Sequence, residues 1–201
     1  MTLTKTQRRV AQRLAAVAAT VSMAVLGTAG SAAADAGVRA DVYRFSDGSQ
    51  VAGAWSSLST SAAGAKMTLQ TSELPAGHTV TVWWVIFNEP NNCSHPEGEL
   101  RCGPGDLPIF GGDDSAQTSV VYAAGHELGG AGVATFSGRL ATGDTTGALW
   151  GPGLVNPTGA DIHLVVHDHG ELPPDQQAEG IHNFGPCDPV CTDIQFSPHE
   201  Q

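Results

Sequence analysis

Basic side chains are scarce in this sequence: nine Lys and Arg stand against twenty Asp and Glu, a formal net charge of −11. A surface of that sign repels phosphate backbones and anionic headgroups, which excludes nucleic acid as a partner class. Long apolar runs are missing as well. Residues 14–26 form the one sustained run, and it is short of the ~20 residues a membrane-spanning helix needs. The familiar hydrolase signatures are also lacking. His126-Glu127 is followed by Leu128-Gly129-Gly130, so the second histidine of an H-E-x-x-H zinc motif is replaced and its helix is broken by glycine. There is no G-x-S-x-G nucleophile elbow. Gly111-Gly112-Asp113-Asp114 lacks the regular acid spacing of a calcium loop and reads as a solvated turn.

The few basic residues are concentrated at the N-terminus. Lys5, Arg8, Arg9 and Arg13 precede the apolar run, and small residues then lead to Ala32-Ala33-Ala34. A basic segment, a short apolar stretch and an Ala-x-Ala site make a secretory signal peptide over residues 1–34, with cleavage after Ala34 or Ala36. Arg8-Arg9 leaves the twin-arginine route open beside the general secretory one. The mature chain, from residue 35 to 201, has a one-domain length. Five basic residues then face twenty acidic ones, for a charge of −15. The expected protein is secreted, has no membrane span after cleavage, and meets an extracellular ligand or envelope component.

Only four cysteines occur, as two close pairs, Cys93/Cys102 and Cys187/Cys191. An even count in an exported chain reads as disulfides. Local pairing is the simplest arrangement, Cys93 with Cys102 and Cys187 with Cys191. The irregular spacing fits a four-thiolate zinc site poorly.

Twelve prolines and twenty-five glycines punctuate short β-like segments at 38–45, 51–55, 66–71, 78–87, 117–124, 133–140, 161–169 and 193–197. The first two flank Ser46-Asp47-Gly48-Ser49 and read as a hairpin. Segment 78–87, HTVTVWWVIF, is apolar on both faces, which predicts a central strand covered on each side. Only 175–182 looks helical. The pattern predicts an all-β, single-domain antiparallel β-sandwich or β-barrel with Gly/Pro-rich loops and two local disulfides.

Segment 161–169, DIHLVVHDH, carries the densest chemistry. Strand alternation puts Ile162, Leu164 and Val166 on one face and His163, Val165, His167 and His169 on the other. His167 and His169 stand about 6.5–7 Å apart along the strand, and His163 about 13 Å from His167. Three readings stay open: histidines that are solvated or hydrogen-bonded, a zinc or copper site, and acid–base catalysis. For a metal, His167, His169 and His163 are the candidate ligands, with His182, His126, Asp161 or Asp168 able to supply another from a neighbouring segment.

The segments TVTVWWVIFNEP, GGAGVATF, GDTTGALWGPGL and GADIHLVVHDHG resemble an uncharacterised group of exported bacterial β-proteins over most of the mature chain. Ile162-His163 and the strand layout are also similar to the chordin-type secreted β-domain. Neither resemblance implies a catalytic residue. The expected function is an exported, non-catalytic binding or cell-envelope-associated β-domain. The alternative is a histidine-based zinc- or copper-binding protein or metal-dependent enzyme on the His163/His167/His169 face. Mass spectrometry of the exported product should read Asp35 or Gly37 as its first residue; retention of residues 14–26 would mark an anchor instead.

Overall fold

The computed structural model describes residues 37–130 and 132–201. The expected leader, residues 1–34, lies outside the described residues. Nine strands are formed among the described residues: β1 (Val38–Arg44), β2 (Gln50–Ser61), β3 (Gly64–Thr71), β4 (Thr79–Phe87), β5 (Thr118–Glu127), β6 (Ala134–Ala141), β7 (Ala148–Trp150), β8 (Asp161–Asp168) and β9 (Thr192–His199). One short helix, α1 (Pro174–Gly180), precedes β9. The strands make one sheet in the order β6-β3-β2-β1-β9-β8-β4-β5-β7, with each neighbour antiparallel.

Of the two all-β forms expected, the molecule takes the barrel-like one: a single sheet curled into a half-barrel. The curl brings β6 against β5. A Cβ added at Gly138 in β6 would lie 3.1 Å from the Ala123 carbonyl oxygen and 3.3 Å from the Trp84 ring. Glycine therefore permits this approach where a side chain would push the strands apart. Inside the curl, Val51, Leu58, Leu69, Trp84, Phe136 and Leu164 belong to one apolar core. Each large side chain fully buried there contributes about 1.5–3 kcal/mol relative to exposure.

Strands β4 and β8 pair in register through the middle of the sheet, from Val80 opposite Asp168 to Phe87 opposite Asp161. Every residue of both strands is buried. Their inner faces reach the main core. Their outer faces, with Trp83, Val85, Phe87 and Val165, form a second apolar cluster with Leu107 and Cys102. The excursion between β4 and β5, residues 88–117, and the segment between β8 and β9, residues 169–191, supply residues packed on this outer face.

These irregular segments are held by buried polar ties and both expected disulfides, Cys93–Cys102 and Cys187–Cys191. Asn88 donates from Nδ2 to the carbonyls of Gln117 and Gly153 at 2.8 and 2.9 Å, while its Oδ1 accepts the Val155 N–H at 2.8 Å. Asp106 accepts N–H bonds from Ser94, His95 and Gly103 at 2.7–3.0 Å. Burial works to raise its pKa, but these donors outweigh it and hold the carboxyl below its usual range.

Arg101 grips Asp161 with two bonds, Nε to Oδ2 at 2.9 Å and Nη2 to Oδ1 at 2.7 Å. Asp161 is fully buried and opens β8, so this pair joins the first covering segment to the sheet. Arg101→Ala would leave a buried carboxylate without its cation. Urea unfolding should show a loss of about 2–4 kcal/mol, somewhat below a fully desolvated pair because Arg101 keeps one side in water. A change within about 0.5 kcal/mol would show that the pair is not a structural tie.

Candidate functional site

Alternation along β8 sends His163, His167 and His169 to the outer face, as the sequence pattern indicates. That face is covered rather than open, because β8 lies between β4 and β9 and the two irregular segments pack on it. His167 is 2% exposed and His169 fully buried. His167 and His169 are therefore not solvated histidines on a sheet edge.

The rings of His167 and His169 meet edge to face, 4.9 Å between centroids. Phe184 stacks on His167 at 4.2 Å. His167 Nδ1–H donates to Asp193 Oδ1 at 2.6 Å, which leaves the Nε2 lone pair; that buried atom has no protein partner. His169 is engaged at both nitrogens. Its Nδ1–H donates to the Pro186 carbonyl at 2.9 Å, and Nε2 accepts from the Thr81 hydroxyl at 2.7 Å. Burial lowers the His169 pKa, against the Pro186 contact, and so favours the neutral ring.

The third neighbour is a sulfur. One ligand-type atom from each of His167, His169 and Cys191 lies within 4.8 Å of the others. Cys191 is joined to Cys187 in the structure, and a disulfide sulfur is not the thiolate that binds metals. A second grouping, Cys93, Cys102 and Asp106, has the same limitation. The Asp106 carboxylate there is already taken by backbone donors.

His163 is not in the cluster. Its ring sits edge-on to Phe87, 5.2 Å between centroids, within the apolar outer layer. The other residues considered from the sequence are engaged elsewhere. His126 packs on Phe136 at 4.9 Å. His182 donates from Nδ1 to the Ala178 carbonyl and faces Tyr122. Asp161 holds Arg101, and Asp168 accepts from His78 Nδ1 at 2.9 Å. Asp168 thus points away from the histidine face, as regular alternation requires.

At Gly170 the chain leaves β8 with φ of 82°, and a Cβ there would fall 1.7 Å from the Asp188 carbonyl oxygen. Only glycine fits this left-handed, crowded joint. The joint sets the second disulfide loop against the histidines: Asp188 N–H donates to the His169 carbonyl at 2.8 Å.

A network that was not anticipated runs across β2, β9 and β1. His199 Nε2 lies 2.7 Å from Ser56 Oγ, Ser56 lies 2.7 Å from Ser197 Oγ, and Ser197 donates to the Asp41 carbonyl. A donor chain from His199 to Ser56 to Ser197 to that carbonyl uses each hydroxyl once each way. The Ser–His distance suits nucleophilic catalysis. However, Ser56, Ser197 and His199 are all buried and His199 Nδ1 has no carboxylate partner. The pair is sealed from substrate.

No family model, curated protein or solved structure matches the chain.

Burial lowers the pKa of both His163 and His199 from 6.5 to about 4; Asp161 opposes the shift at His163 and His199 adds to it. Above pH 6.5 both residues are neutral folded or unfolded, and stability does not depend on them. As pH falls from 6.5 to about 4, the unfolded chain takes up protons that the folded chain does not, so stability drops. The loss is on the order of 3 kcal/mol for each residue at the lower end. Urea midpoints should begin to fall near pH 6.5, above the range where the carboxylates titrate, and His199→Gln should flatten part of the slope. Constant stability from pH 7 to 4.5 would refute the buried neutral pair.

Proposed function

We propose that the mature chain acts outside the cytoplasm as a non-catalytic binding or cell-envelope-associated β-module. The observation that carries this reading is the sealing of its reactive-type side chains. Ser56 with His199, and His167 with His169, lie beneath packed chain, whereas catalysis needs such groups within reach of a substrate. Two disulfides, and no helix long and apolar enough to cross a membrane among the described residues, are compatible with export of this kind.

The exposed features suit adhesion better than turnover. A shallow open recess is lined by Arg39, Asp41, Tyr43, Gln50, Trp55 and Pro198, with the Arg39 guanidinium 4.1 Å over the Trp55 ring. Half-buried aromatics bordered by polar groups provide contact area with little rotamer freedom to lose. A strongly acidic surface favours a cationic or neutral envelope component over an anionic one.

The test has two arms. Purified mature protein should turn over no ester, phosphoester or glycoside probe, and isolated envelope material should retain it in co-sedimentation. Tyr43→Ala with Trp55→Ala should lower retention about tenfold when measured well below the variant's own melting temperature. Turnover that disappears in His167→Asn would overturn the reading in favour of an enzyme. Retention no greater than that of an unrelated acidic protein would remove the envelope role.

A further inference from the structure

The Cys187–Cys191 bridge closes directly over the histidine pair, and its two sulfurs are the only cysteine atoms in that segment. We propose that reduction of this bridge converts His167, His169 and Cys191 into a zinc site, so that the segment 169–191 carries a redox-gated metal centre. The inference does not rest on the binding-module reading, and its failure would leave that reading untouched.

The spacing carries the argument. Cys191 Sγ lies 3.6 Å from His169 Nδ1. Tetrahedral zinc, with Zn–N of about 2.0–2.1 Å and Zn–S of about 2.3 Å, sets nitrogen and sulfur about 3.6 Å apart. One edge of the coordination tetrahedron is therefore already in place. The three ligand-type atoms span no more than 4.8 Å, so about 1 Å of side-chain movement closes the rest.

His167 is prepared in the manner of a zinc ligand. Asp193 holds its Nδ1–H, and Nε2 is buried with its lone pair unused. A carboxylate behind the imidazole fixes the tautomer and the ring orientation. For His169, Thr81 serves either state, because a hydroxyl both donates and accepts. With the bridge closed, Thr81 donates to Nε2; with Nδ1 on zinc, Nε2–H donates to Thr81. The fourth position is left to water or to the Cys187 sulfur freed by the same reduction.

The steps balance. A dithiol passes two electrons and two protons to the bridge, becomes a disulfide itself, and leaves Cys187 and Cys191 as thiols. Zinc then displaces one proton from the Cys191 thiol, and the imidazole proton of His169 moves from Nδ1 to Nε2. With the bridge closed, both requirements fail. Cys191 offers no thiolate, and His169 Nδ1–H is spent on the Pro186 carbonyl. The Cys93–Cys102 bridge is not equivalent, since no histidine nitrogen joins its grouping.

Cys187→Ser frees Cys191 without a reductant and keeps Cys93–Cys102 closed. In calorimetry with zinc alone, this variant should bind one equivalent at least 100-fold more tightly than oxidised wild type. Cobalt in place of zinc should give a thiolate-to-cobalt charge-transfer band. On the same background, Cys191→Ser should abolish the band, His167→Asn should weaken zinc binding at least tenfold, and Asp193→Asn should weaken it about 10–100-fold. If near-UV circular dichroism shows that Cys187→Ser has not folded, wild type reduced with a phosphine is titrated beside equally reduced His167→Asn. The proposal is overturned if zinc binds no tighter after bridge opening by either route. It is also overturned if His167→Asn binds equally well, or if cobalt binds without the thiolate band.

Discussion

The structure depends on one constraint: β4 is apolar on both faces and pairs with β8, itself buried on both, so this part of the sheet has to be covered twice. Curling satisfies the inner face, because a nine-stranded sheet bent into a half-barrel packs its own side chains together. The outer face cannot be covered in that way. Trp83, Val85, Phe87 and Val165 would present a contiguous apolar patch to water if no chain lay over them. Irregular chain does the covering, and irregular chain brings backbone N–H and C=O groups that must find partners once buried.

The polar ties follow from that requirement. Asn88 uses both ends of its amide to join two separate stretches of backbone, at Gln117 and at Gly153–Val155. Asp106 gathers N–H groups that no strand ladder could reach. The Arg101–Asp161 pair supplies charge at the sheet margin, where one partner stays partly solvated and the desolvation cost is correspondingly smaller. Each disulfide closes only a short loop, so its chain-entropy contribution is modest. Their greater effect is positional. Cys102 is a fully buried member of the outer apolar cluster, and the Cys187–Cys191 loop rests on His169 through the Asp188 N–H. Neither bridge is the detached surface staple that its short sequence separation suggests.

Much of this was legible in the sequence where a pattern is local. The alternation of 161–169 correctly separates Ile162, Leu164 and Val166 from the histidines, and the two-sided apolarity of 78–87 correctly marks a covered central strand. The disulfide pairing is right as well. What was not legible is tertiary. β7 has only three residues, Ala148–Trp150, too few to show a period. The latter half of β2, Ser56–Ser61, is rich in serine and reads as turn, yet Ser56 points inward to meet Ser197 and His199. Asp193 and Cys191 reach the histidines only because β9 pairs with β8 and the 169–191 segment folds back. Sequence separations of 22 to 26 residues carry no period to detect. The sequence put His163 on the same face as the other two histidines but about 13 Å from His167 along the strand, and the fold keeps it out of their cluster, edge-on to Phe87.

The two buried histidine groups answer the same constraint differently. His163 and His199 are set among apolar or hydroxyl neighbours, and neutrality is their resolution: burial lowers each pKa until no charge has to be accommodated. His167 has a carboxylate partner instead. Asp193 stays partly exposed, so one end of the pair remains solvated while the other carries the unused Nε2 atom inward. An unpartnered acceptor deep in a protein costs more than a satisfied one, and a purely structural histidine could be replaced by an apolar ring of similar shape. Phe184 already stacks on one face of this ring, which shows that the space itself is apolar enough for such a replacement. A bare buried nitrogen is shared with His163 and His199; what packing does not explain is its combination here with a tautomer fixed by Asp193 and a sulfur held just beyond a second imidazole. It distinguishes this corner of the outer layer from the rest of the covered face.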